Sequence, residues 1–148
     1  MRFLLALLTL LGLLALQPAS AEEATKATLY KDPSCGCCRE YGTYLSQNGF
    51  DVEVVDTADL LSIKQQSGVP AELEGCHSTL VGGYVVEGHV PAGIVKRLLQ
   101  EKPQILGISL PGMPLGSPGM DGVKEAPFVI YEIPNADSAG APKVYATE

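Results

Sequence analysis

KATLYKDPSCGCCREYGTYLSQ, residues 26–47, changes character partway along. Lys26 to Lys31 reads as a short strand, and Asp32-Pro33-Ser34 as a turn that can start a helix. From Cys37 to Gln47 the apolar side chains of Cys38, Tyr41 and Leu45 recur at helical spacing, and Asn48-Gly49 is a stop signal. The stretch therefore predicts a strand that passes into a helix through a turn carrying three cysteines.

Downstream, Phe50 to Val55 alternates as a strand does. A second helix is expected from a cap at Asp56 or Thr57 through Gln66, with Leu60, Leu61 and Lys64 on one side and Gly68 ending it. Strand, helix, strand, helix is a βαβ unit with parallel neighbouring strands and a right-handed crossover. Ser78–Val81 and Tyr84–Glu87 flank Gly82-Gly83 and predict a hairpin. Pro91 sits where a first helical turn tolerates it, and Ile94, Val95, Leu98 and Leu99 form an apolar helical face that ends before Pro103. The expected fold class is α/β and thioredoxin-like, a mixed central sheet with flanking helices. Residues 107–122 include PGMPLGSPGM (111–120), whose Pro and Gly density predicts a loop without regular structure. Phe128–Ile133 and Lys143–Tyr145 are expected to close the fold as a β-hairpin around residues 135–142.

Upstream, Met1-Arg2 is followed by an apolar run from Phe3 to Leu16 and by Ala19-Ser20-Ala21, the order of a secretory signal peptide over residues 1–21. The run is about 14 residues, short of the roughly 20 that span a bilayer. No stable membrane insertion is expected once it is cleaved, and residues 22–148 are expected to form a single domain. A chain of 148 residues has room for one sizeable core. Its 46% hydrophobic and 18% charged residues exclude a disordered tail or a coiled coil. With 10 Lys+Arg against 17 Asp+Glu the net charge is −7, which repels phosphate backbones and argues against nucleic-acid binding.

A secreted chain meets an oxidising compartment, where disulfides persist. Three of the four cysteines, Cys35, Cys37 and Cys38, fall within four positions, which is poor geometry for stapling separate parts of a fold. Cys35 and Cys38 form a C-x-x-C at the strand-to-helix turn, where unpaired N–H groups and the helix dipole favour a thiolate. A dithiol oxidoreductase needs two cysteines there. A third makes a dense soft-donor site, of the kind that selects Cu(I), Zn(II) or Fe–S clusters. Because thiolates bridge, such packing suits more than one Cu(I) ion. Cys76-His77 adds a second donor pair before the hairpin, where the chain is expected to pass the helix tip. Cys76 has two readings, a metal ligand and a structural bridge to one of the other three. His77 and His89 offer imidazoles. Met113 and Met120 add thioethers if the Pro/Gly loop folds over the tip; otherwise they plug the core edge. Asp51, Glu53, Asp56 and Asp59 fit no calcium loop and are expected to be a solvated edge.

CGCC after a strand, GVP with a following CHS, GGYVVEGHVPAGIVKRLL and PGMPLGSPGM together resemble the small copper-resistance proteins called CopG, from about Ala27 to about Tyr145. The resemblance implies a thioredoxin-like fold, copper bound through clustered cysteines, and a periplasmic place among the copper-detoxification systems of Gram-negative bacteria. It implies metal-site roles for Cys35, Cys37, Cys38 and Cys76, and places His77, His89, Met113 and Met120 in the family's CH, EGHVP and paired PGM motifs. Ser78 stands where the family commonly has Thr, which keeps the hydroxyl.

Three functions compete. The first is copper detoxification, with Cu(I) at the thiolate cluster, a Cu(I)/Cu(II) redox variant, and a periplasmic export or oxidase system as partner. The second is thiol–disulfide exchange, with Cys35 attacking and Cys38 resolving. The third is a disulfide-stabilised binding module without metal.

Overall fold

The computed structural model describes residues 23–135 and 141–148. The expected signal peptide lies outside the described residues, as does most of the 135–142 connection. Among the described residues no helix is long and apolar enough to cross a membrane.

The elements run β1 (Thr25–Lys31), α1 (Gly36–Gln47), β2 (Phe50–Asp56), α2 (Leu60–Gln66), a 3₁₀ turn (Ala71–Leu73), β3 (His77–Val81), β4 (Tyr84–Glu87), α3 (Ala92–Glu101), β5 (Gly107–Ser109), β6 (Val129–Ile133) and β7 (Val144–Thr147). One seven-stranded sheet has the order β2-β1-β3-β4-β5-β6-β7. β1 pairs in parallel with β2, as the crossover through α1 requires, and antiparallel with β3. β4 and β5 are parallel, and the β6–β7 hairpin continues the sheet beyond β5. This is the expected mixed α/β sheet, with three flanking helices among the described residues.

Local sequence explains the turns. Gly82 and Gly83 have φ of 57° and 85°, the pair of positive values a two-residue hairpin demands. Tyr41 and Leu45 of α1, Leu29 of β1, Val95 and Leu98 of α3, and Ile108 of β5 share one core. Each such aliphatic side chain contributes about 1.5–3 kcal/mol when fully buried. α1 lies close on β2 because Gly42 has no side chain: a Cβ there would come 3.0 Å from Val54 Cγ2.

Three expectations are corrected. Residues 107–109 are not loop but the strand β5, seated between β4 and β6. Gly107 admits the Val85 carbonyl where any side chain would collide, and Ile108 is fully buried. A three-residue strand is too short to show a period, so the neighbouring prolines and glycines dominated its reading. The second helix starts at Leu60 rather than just after Asp56; Thr57 Oγ1 instead accepts the Asp59 N–H at 3.0 Å, a local turn that delays the helix. Leu61 does not share the inward side with Lys64: it is 57% exposed, whereas Lys64 is buried.

Candidate metal centre

The turn from β1 to α1 is held from beneath. Lys31, the last residue of β1, is fully buried, and its Nζ donates to the Asp32 carbonyl at 2.9 Å and meets Asp56 Oδ1 at 2.6 Å. Asp32 Oδ1 accepts the Ser34 N–H at 2.8 Å and its hydroxyl at 2.5 Å. Those bonds hold the Asp32 carboxyl below its ordinary pKa. Cys35 then occupies the N-cap position of α1, with Cys37 and Cys38 in the first turn, where the helix's unpaired N–H groups and dipole favour a thiolate. Cys35 and Cys38 form a disulfide, Cα–Cα 5.5 Å, and Cys37 Sγ lies 3.5 Å from Cys35 Sγ. Cys37 and Cys76 are free thiols.

Strand register brings in the second arm. His77 pairs with Lys31 across β1 and β3, so Cys76 arrives beside the turn just as the chain leaves β1. Cys38 Sγ is 3.6 Å from the Cys76 carbonyl oxygen. Cys76 Sγ lies 3.3 Å from His77 Nδ1 and 3.0 Å from His89 Nε2. His89 is delivered by the bend after β4, at Gly88 with φ 73°. His89 Nδ1 donates to the Pro118 carbonyl at 2.6 Å, which leaves the Nε2 lone pair facing the sulfur. A backbone carbonyl that fixes the tautomer in this way is the usual support of a metal-ligating imidazole. His77 is fully buried, and its Nε2 has no hydrogen-bond partner. The Tyr41 ring packs against both imidazoles, at 4.6 and 5.3 Å between centroids, and its hydroxyl donates to the Val90 carbonyl.

Two donor groups result, and they overlap. The donor atoms of Cys35, Cys37, Cys38 and Cys76 all lie within 4.8 Å of one another, as do those of Cys38, Cys76, His77 and His89. The first group is all sulfur and partly exposed; the second mixes sulfur with imidazole and is more deeply buried. Cys38 and Cys76 belong to both. Burial, with the neighbouring Cys37, pushes the Cys76 thiol up to about 12. Burial also lowers the pKa of His77 far, helped by His89 and Lys64, and that of His89 less, so both imidazoles are neutral at neutral pH.

Both Pro-Gly-Met motifs are fastened at the rim of this site. The Gly112 N–H donates to the Glu74 carbonyl at 3.0 Å, and Gly112 bridges to Gly75, the residue before Cys76. Gly119 lies directly on α1, where a Cβ would come 2.6 Å from Tyr41 N, and Pro118 holds His89. Met113 is 57% exposed and Met120 is half-buried. The acidic residues read as an edge, Asp51, Glu53, Asp56 and Asp59, are all exposed, and Asp56 also meets Lys31 and Arg39.

Sequence reasoning missed Lys31, Lys64, Ser78 and Glu87 as parts of this centre. Glu87 is fully buried at the end of β4, and Lys64 Nζ donates to its Oε1. The available signals were a lysine in the apolar stripe of a helix and a glutamate in a short apolar strand.

Comparison with known proteins comes from three directions. Residues 73–120 match a family model described as a protein of unknown function, DUF411. No curated protein matches the chain. Two solved structures match, described as copper resistance protein copG in form 2 and form 1. Form 2 has a TM-score of 0.77 at 34% identity, with 85% of this chain and 99% of that chain covered. Form 1 has a TM-score of 0.76 at 34% identity, with 85% and 98% covered.

Proposed function

This chain belongs to the CopG family of copper resistance proteins, and on that premise we propose that it holds Cu(I) at the tip of α1, in a thiolate cluster formed by Cys35, Cys37, Cys38 and Cys76 and extended inward by His77 and His89. The observation that carries this reading is the overlap of the two donor groups through Cys38 and Cys76. A thiolate shared between two groups can bridge two soft cations, whereas a lone structural thiol has no use for a second donor set. The donor chemistry fits Cu(I), which prefers thiolate and tolerates imidazole. Met113 and Met120 act at the rim as auxiliary thioethers. Residues 1–21 direct the chain to the periplasm as a signal peptide, residues 22–148 act as one domain, and an export or oxidase system receives the metal.

The Cys35–Cys38 disulfide gives the redox variant a concrete form. Two Cu(II) ions take one electron each from the two thiols; the sulfurs join, two protons leave, and two Cu(I) ions result. Before Cys38 can serve either donor group again, an external dithiol must open this disulfide by exchange, its own two thiols becoming a disulfide as Cys35 and Cys38 regain theirs. A second reading, thiol–disulfide exchange, is favoured by one observation: Cys35 and Cys38 are joined in a disulfide at the helix tip, the oxidised form of a C-x-x-C exchange pair. An anaerobic Cu(I) titration of the reduced chain against a competing chelator tests the proposal. Retention of copper against the chelator supports it. Disulfide reductase activity that survives Cys37→Ser, without copper retention, favours the second reading.

A further inference from the structure

Beneath the Cys76–His77 arm lies a buried ion pair that neither donor group uses. Glu87, the last residue of β4, is fully buried, and Lys64 reaches it from α2. Its Oε1 accepts from Lys64 Nζ and from the Gly75 N–H at 2.9 Å, and its Oε2 accepts the Ser78 hydroxyl at 2.6 Å. Lys64 Nζ also lies 3.4 Å from Ser78 Oγ. Gly75 and Ser78 are the residues immediately before and after Cys76-His77, so one carboxylate grips both ends of the dipeptide that bears two donors.

The same grip sets the distance to His89. Gly75 is packed against Gly88, where a Cβ would come 2.7 Å from Gly88 Cα, and the Gly88 N–H donates to the His77 carbonyl at 3.1 Å. Moving Gly75 would therefore move Cys76 relative to His89. A buried ion pair is weak as a source of stability, because well-packed apolar residues of similar volume replace such pairs without loss in many proteins. Its placement around the donors gives it a use that apolar residues could not supply, since they offer no acceptor to the Gly75 N–H.

Resting on the copper-site reading above, we infer that Glu87, fastened by Lys64, is a positioning residue that fixes the Cys76–His77 arm against His89 and the helix tip. The test uses the full chain with two double variants. Lys64→Met/Glu87→Met removes both charges and every acceptor. Lys64→Met/Glu87→Gln removes the charges but leaves a side-chain carbonyl for the Gly75 N–H. Hydrogen exchange at the Gly75 amide is read in the metal-free protein; Cu(I) affinity by chelator competition and copper–nitrogen scattering by X-ray absorption are read in the loaded one.

The all-methionine variant should exchange Gly75 about tenfold faster or more, bind Cu(I) about 10- to 100-fold more weakly as for other groups that support metal ligands, and lose copper–nitrogen scattering while keeping copper–sulfur. The glutamine variant should recover most of each. Should the all-methionine variant not fold, Ser78→Ala, which removes one grip, carries the test with a smaller loss in the same three readouts. A folded all-methionine variant, or Ser78→Ala in its place, with unchanged Gly75 exchange and copper spectrum overturns the inference. If the unaltered chain binds no copper, it is the copper reading that fails, and Gly75 exchange alone decides whether the grip exists.

Discussion

Cys76 Sγ and His89 Nε2 stand 3.0 Å apart, brought together by the β3–β4 hairpin between them. On the far side of the ring, the Pro118 carbonyl accepts a hydrogen bond from Nδ1–H. A half-buried sulfur and the lone pair of a buried imidazole thus face each other. Metal binding here replaces a thiol proton rather than building a site from a mobile chain.

The shared sulfurs should matter most. Cys38→Ser or Cys76→Ser damages both donor groups and should lower the copper-to-protein ratio of the reduced chain more than Cys37→Ser does. Met113→Leu, at an exposed position, should change affinity only modestly. Equal ratios in all four variants would place the metal elsewhere. Metal analysis after desalting supplies the comparison.

Copper binding should release protons, and Cys76 should account for one of them. Its thiol is pushed up to about 12, so it carries a proton throughout the neutral range and must lose it to become a ligand. The two imidazoles are already neutral and contribute none. Anaerobic Cu(I) titration in weak buffer should therefore show about one proton fewer in Cys76→Ser. Affinity should rise with pH up to the thiol pKa. A proton count unaffected by the substitution would mean Cys76 is not a ligand.

Stability of the metal-free protein should fall in acid. His77 and His89 have folded pKa values below the ordinary 6.5, so below pH 6.5 the unfolded chain takes up protons that the folded chain refuses. Their stabilising share is whole above that pH and is lost progressively as pH falls below it, more for His77, whose pKa is lowered further, than for His89. The slope should be shallower in His77→Phe. Melting temperatures that stay level between pH 7 and pH 5 would show that His77 is not buried in its neutral form.

Much of this was legible in the sequence because it is local. The shift from alternation to helical spacing within residues 26–47 marks the turn that carries the cysteines, and Gly82-Gly83 marks the hairpin that returns Cys76 and His89 to it. What was not legible depends on pairing between distant residues. Lys64 and Glu87 meet only because α2 packs over β1 and β3, beside β4, and Lys31 is held under the cysteine turn by Asp56, its register partner on β2. β5 is fixed by its neighbours on both sides rather than by its own three residues.

The loop bearing the second Pro-Gly-Met motif should control the site from outside. Gly119 has φ 78° and no room for a Cβ against Tyr41 N. Gly119→Ala should lift the loop, release His89 from Pro118 and cost about 1–3 kcal/mol, the usual range for overpacking. Copper affinity should fall together with the melting temperature, and a variant that melts and binds as the parent does would detach the loop from the site.

Copper retention should depend on the oxidation state of Cys35 and Cys38. The chain is loaded with Cu(I) anaerobically, once with Cys35–Cys38 reduced and once with the disulfide intact, then passed through a desalting column and assayed for metal. The reduced chain should keep its copper and the disulfide form should keep markedly less, because oxidation removes Cys35 from one donor group and Cys38 from both. A reduced chain that emerges without copper, or equal retention in the two forms, would contradict a thiolate cluster at the tip of α1.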